Sequence, residues 1–215
     1  LLNVTFENNQ CGSIYGGGSG LWIVSDEITF ERCTFKHNHA VQIKNHVEPR
    51  PKPITTESDT EYYNGDGGAI QFGYSPTIFN AKLNFIGCTF EENQADRHGG
   101  ALAIQTINEV IIENCTFKKN EANVKTESSL LEDEQDRYDN HFHKKTEGRG
   151  GAIYINPTFS FEKDGVQPPN LQHMKKLIIR NCNFTSNKAF DGFAIYIEGD
   201  EPRNDEPFEC TILNN

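Results

Sequence analysis

Cys88-Thr89-Phe90-Glu91-Glu92-Asn93-Gln94-Ala95, followed shortly by Gly99-Gly100-Ala101-Leu102, is the stretch on which the fold turns. Both phrases recur. Cys33-Thr34-Phe35-x-x-Asn38-x-Ala40 precedes Gly67-Gly68-Ala69-Ile70, and Cys115-Thr116-Phe117-x-x-Asn120-x-Ala122 precedes Gly150-Gly151-Ala152-Ile153. Cys182-Asn183-Phe184-x-x-Asn187-x-Ala189 precedes the weaker Gly192-Phe193-Ala194-Ile195. An imperfect start, Val4-Thr5-Phe6-x-x-Asn9, and a last Cys210-Thr211-Ile212-x-x-Asn215 bring the count of the slot to six. Repetition at this period means stacked equivalent units.

The shortest unit, Cys88 to Cys115, spans 27 residues. Within it three short apolar runs alternate with turns: the segment after Gly-Gly, then Val110-Ile111-Ile112 or Leu177-Ile178-Ile179, then Cys-Thr-Phe. Each run is too short for a helix, rich in β-branched and aromatic residues, and closed by Asn or Gly. A leucine-rich or mixed solenoid would need a helical period between its strands, and none is present. The expected fold is all-β, a parallel β-helix with three short strands per coil of ~27 residues, stable only when stacked.

Stacking gives every repeated residue a role. Strand alternation sends Cys and Phe inward and Thr outward. The Asn slot (Asn9, Asn38, Asn93, Asn120, Asn187, Asn215) falls where the chain turns. Asn tolerates the left-handed conformation there, and its amides can bond from coil to coil. Paired glycines permit a tight corner and close approach between coils. Cys33, Cys88, Cys115, Cys182 and Cys210 are expected to form one ladder of reduced thiols, because stacked parallel strands hold their Cβ atoms parallel. Cys11 aligns with the alanine slot.

The chain has 215 residues, a net charge of −11 and no basic run. Phosphate binding needs a basic footprint, so nucleic acid is excluded as a natural partner. No stretch approaches the ~20 apolar residues of a spanning helix, and no signal peptide opens the chain. Since both termini fall inside repeats, the sequence reads as one β-helix segment of about six coils, residues 1–215, cut from a longer protein.

Gly-Gly-Ala-Ile paired with Phe-x-x-Asn resembles the repeat of the chlamydial polymorphic outer membrane proteins and their protist relatives. The resemblance covers most of the chain outside its insertions. It implies a right-handed β-helix displayed outside the cell and used in adhesion or surface structure. In the bacterial members that helix is an autotransporter passenger, and no barrel is present in this sequence. The first coil departs from the pattern with Gly18-Ser19-Gly20-Leu21.

Insertions 41–66 and 123–149 interrupt the same corner, whereas the coil between them uses only Asp96-Arg97-His98. A third excursion, 156–171, leaves from another corner. Insertions on one side of a solenoid commonly form its binding surface. Asp66, Asp96, Asp133, Asp136, Asp139 and Asp191 gather near the insertion edge. No Asp pair lies on a strand and no strand-borne base faces them, so they read as solvated loop charge rather than the carboxylates of a lyase or hydrolase. His37-x-His39 and His141-Phe142-His143 lack the companions a zinc site needs. No catalytic, metal or cofactor residue is therefore expected. Asn3-Val4-Thr5, Asn114-Cys115-Thr116 and Asn183-Phe184-Thr185 fit the glycosylation acceptor rule, with Asn3, Asn114 and Asn183 pointing outward. The functional expectation is a non-enzymatic extracellular or cell-surface β-helix that is structural, fibre-forming or adhesive. Its partners would be further repeats or other copies stacked end to end, or a receptor or glycan. The alternative is a polysaccharide lyase or hydrolase, or a carbohydrate-binding relic of one.

Overall fold

The computed structural model describes residues 1–12, 21–23, 26–41, 65–72, 81–105, 108–122, 148–159, 172–198 and 209–215. Most of the three insertions, with His141, His143, Asp133, Asp136 and Asp139, lies outside the described residues.

The described chain winds through parallel sheets, each taking one strand from successive coils. The phenylalanine sheet stacks Thr5–Glu7, Thr34–Lys36, Thr89–Glu91, Thr116–Lys118 and Asn183–Thr185. The glycine-led sheet stacks Leu21–Ile23, Ile70–Phe72, Leu102–Gln105, Ile153–Asn156 and Ile195–Ile197. Glu27–Glu31, Lys82–Ile86, Glu109–Glu113, Lys176–Arg180 and Glu209–Leu213 make the aliphatic sheet. A fourth sheet was not expected. Gln10–Gly12, His39–Val41, Gln94–Ala95 and Glu121–Ala122 turn the x-Ala segment after each Asn into a strand of two or three residues. This is a parallel β-helix of five coils among the described residues, with four strands per coil except in the last, where an isolated Glu121–Lys188 bridge stands in place of the x-Ala strand.

Ladder residues fill the interior. Phe6, Phe35, Phe90, Phe117 and Phe184 lie in one column with near-parallel rings and successive centroids 4.7–4.9 Å apart. Phe30 and Phe85 stack beside them at 5.0 Å and meet the column edge-on. These ring arrangements are favourable ones and add to area burial. Outside, the aliphatic sheet aligns Glu27, Lys82, Glu109, Lys176 and Glu209, so charge alternates from coil to coil. Such exposed pairs contribute little each, but they favour this register over a slipped one.

The asparagine column is buried at its centre. Asn38, Asn93 and Asn120 are fully buried. The Asn93 amide nitrogen donates to Asn120 Oδ1 at 2.9 Å and to the Phe35 carbonyl at 2.9 Å. Its Oδ1 accepts from Asn38 Nδ2 at 2.9 Å and from the Asn38 backbone N–H at 3.1 Å. The column runs from Asn9 through Asn38, Asn93 and Asn120 to Asn187. One expectation is corrected: the asparagines themselves do not adopt the left-handed conformation. The residue before each one does, at Asn8, His37, Glu92, Lys119 and Ser186, as does the residue before each cysteine slot.

Cys33, Cys88, Cys115 and Cys182 form the expected buried thiol column, with all six cysteines free. The flanking Cys182 and Cys88 thiols, and after them burial, push the Cys115 thiol far up, which keeps it neutral. Cys210 does not belong to this column. It pairs with Leu177 in the aliphatic sheet and is exposed. Asn215 consequently falls in the cysteine slot, where its Oδ1 accepts from the Cys182 N–H at 2.9 Å, and it is not part of the asparagine column. Cys210-Thr211-Ile212-x-x-Asn215 thus imitates the repeat one strand out of place. A maleimide reagent on the native protein should modify Cys210 and leave Cys33, Cys88 and Cys115 unreacted until denaturant is added, as peptide mapping would show.

Candidate functional site

The corner from which the two long insertions leave carries a polar column, one residue per coil, immediately before each corner glycine (Gly67, Gly99, Gly150 and Gly192): Asp66, His98, Arg149 and Asp191. Backbone bonds fix it, from Gly67 N–H to the His98 carbonyl at 2.8 Å, Gly99 N–H to Arg149 at 2.9 Å and Gly150 N–H to Asp191 at 2.9 Å. Glycine opens each corner because the first of the pair is left-handed, with Gly99 at φ +66°.

Asp66 and Asp96 are buried, contrary to the solvated-charge reading. Asp66 Oδ1 accepts the His98 backbone N–H at 3.1 Å and faces Arg97 Nε at 3.6 Å. Asp96 Oδ1 lies 2.8 Å from His39 Nε2. His98 Nδ1 accepts the Arg149 backbone N–H at 3.2 Å, and its ring stacks on Tyr154 with centroids 4.6 Å apart. Arg149 in turn reaches Glu198 Oε1 at 2.9 Å and lies over the Tyr196 ring. Glu198 Oε2 also accepts from Tyr154 Oη and from Asn156 Nδ2. The ends of the expected insertions therefore belong to the coils. Val41 is in the x-Ala strand, Asp66 and Arg149 in the polar column, and Asn156 in the glycine-led sheet. Thr158–Phe159 pairs antiparallel with Gln172–His173 at the base of the third excursion.

Burial, and after it the Glu198 carboxylate, drive the Tyr154 hydroxyl well above its ordinary value of 10.0. The folded chain thus holds this proton more tightly than the unfolded chain does. Its contribution is complete below pH 10 and is lost as pH rises beyond it. Urea midpoints should fall steeply above about pH 10 in the native chain and more gently in Tyr154→Phe.

Chemically, the corner holds three acid–base pairs, Asp66 with Arg97, His39 with Asp96 and Glu198 with Arg149, while Asp66 Oδ2 and Arg149 Nε are buried without a hydrogen-bond partner among the described residues. Among the described residues no group of three or more His, Cys, Asp or Glu side chains is placed to hold a metal ion. His37 and His39 are split by the turn, with His37 against Glu92 at 3.2 Å and His39 on Asp96. The acceptor asparagines are all exposed. Asn3 and Asn114 occupy left-handed positions before the cysteine slot, and Asn183 lies in its strand with its Oδ1 accepting from the Thr185 hydroxyl at 3.1 Å. Sequence reasoning missed Arg97, His98, Arg149, Tyr154 and Glu198. The readable signal was the column before the glycine pairs, which alignment of the repeats exposes.

Residues 87–105 match the Chlamydia polymorphic membrane protein repeat. No curated protein and no solved structure was found to match the chain. The matched segment runs from the turn before Cys88 through the phenylalanine, alanine and glycine-led strands of the central coil, and it includes Asp96, Arg97 and His98. The central coil is therefore similar to the Chlamydia polymorphic membrane protein repeat, and the coils on either side stack on it in register.

Proposed function

We propose that this chain is a surface-displayed β-helix segment that acts by adhesion and has no enzymatic activity. The observation that carries this reading is the match of the central coil to a repeat of membrane proteins. Two further features support it. Every residue that defines the repeat serves stacking, as the buried Phe, Asn and Cys columns do. The ionisable groups at the insertion corner are engaged with one another, through Asp66 with Arg97, His39 with Asp96 and Glu198 with Arg149. The variable surface then consists of what leaves the repeat, above all at that corner.

Antibodies against the folded chain should label intact cells of its source, and beads coated with it should be retained on a cell or glycan surface. Label that appears only after permeabilisation would refute surface display. Release of unsaturated sugars from polyuronates by the purified chain would instead establish the lyase alternative.

A further inference from the structure

We propose that His98 is a pH-sensitive latch on the corner where the second insertion returns to the helix. The geometry is specific. His98 Nδ1 accepts a hydrogen bond from the Arg149 backbone N–H at 3.2 Å, so that nitrogen carries no proton. Arg149 is the first residue before the Gly150-Gly151 corner, and the chain re-enters the described structure one residue earlier, at Gly148. Protonation puts a hydrogen on Nδ1. Two donors then face each other at that distance, and the bond must break.

The surroundings add to the effect. On its own segment His98 is flanked by Arg97 and Asp96. Across the preceding coil, Asp66 binds its backbone N–H and is engaged with Arg97, while His39 is paired with Asp96. Across the following coil stand Arg149, Tyr154 under the ring, and Glu198, which Arg149 and Tyr154 already hold. An imidazolium here joins Arg97 and Arg149, and it loses its acceptor role. Acidification below the ordinary imidazole range, about 6.5, thus loosens the Arg149 side of the corner.

The same molecule supplies an internal control. Gly67 N–H donates to the His98 carbonyl, which does not titrate, and Ala101 N–H bonds in the next coil. Amide hydrogen exchange, corrected for the intrinsic pH effect, should show Arg149 protection falling about tenfold between about pH 7.5 and 5, with Gly67 and Ala101 unchanged. In His98→Asn the side-chain oxygen takes the place of Nδ1 as an acceptor that does not titrate, and Arg149 should stay protected across the range. His98→Gln also removes the titration, its amide lying at the Nε2 position instead. A flat Arg149 profile in the native chain, an Arg149 profile that tracks Gly67, or the same fall in both variants would overturn the latch.

Discussion

Gly100→Ala should leave no folded protein at 25 °C, a loss of at least about 4–5 kcal/mol. A Cβ on Gly100 would overlap the Gly151 carbonyl oxygen of the next coil and sit 2.5 Å from the Glu121 backbone nitrogen. Both obstacles are main chain, locked in the ladder between coils, and no rotamer change relieves them. The contrast is Gly87, whose φ is +62° but whose added Cβ would meet only Arg32 Cγ at an ordinary 3.7 Å. Gly87→Ala should cost only the left-handed strain, about 1–2 kcal/mol. Gly87→Asn should be nearly neutral, because Asn114 and Asn181 occupy the same slot at φ 54°. Circular dichroism with urea titration separates the three variants.

Asn93→Ala should cost about 3–5 kcal/mol by the same titration. It removes the donors to the Phe35 carbonyl and to Asn120 Oδ1, and the acceptor for the Asn38 N–H and amide. All of this lies where water does not reach, so the orphaned groups carry their full desolvation cost. Asn93→Asp preserves size and acceptors but turns a carboxylate toward two oxygens. Its folded form must hold a proton that the unfolded chain gives up near pH 4, so its deficit relative to the native chain should grow as pH rises above that value. A deficit independent of pH would show that the amide does not donate in this direction.

Much of this was readable because a β-helix writes one slot with one residue in every coil. Phe35, Phe90 and Phe117 announce the interior column, and Gly67-Gly68, Gly99-Gly100 and Gly150-Gly151 announce the tight corner. The fourth strand was not readable: Gln94–Ala95 and Glu121–Ala122 are two residues each, too short for any alternation. The left-handed residue before each Asn is equally silent, since its side chain points outward and Asn8, His37, Glu92, Lys119 and Ser186 share no chemistry. Cys210 misled because a Cys-Thr-Ile triplet satisfies the same inward-outward alternation in the aliphatic sheet as Cys-Thr-Phe does before the asparagine turn. At the corner, Asp66 and Arg97 are 31 residues apart in sequence and meet only when coils stack, so a reading of charges along the chain sees solvated acids where the fold has buried pairs.

Thr5, Thr34, Thr89, Thr116 and Asn183 are successive rungs of one ladder, although 29, 55, 27 and 67 residues separate them. Nitroxides carried on an unnatural side chain, which spares the native cysteines, can be placed at Thr5 with Thr116 and at Thr5 with Asn183. Backbone separations of about 14 and 19 Å are expected, one rung of about 4.8 Å per coil whatever the length of chain between. Distances that grow with sequence separation, so that the 67-residue step from Thr116 to Asn183 adds far more than one rung, would contradict this ladder.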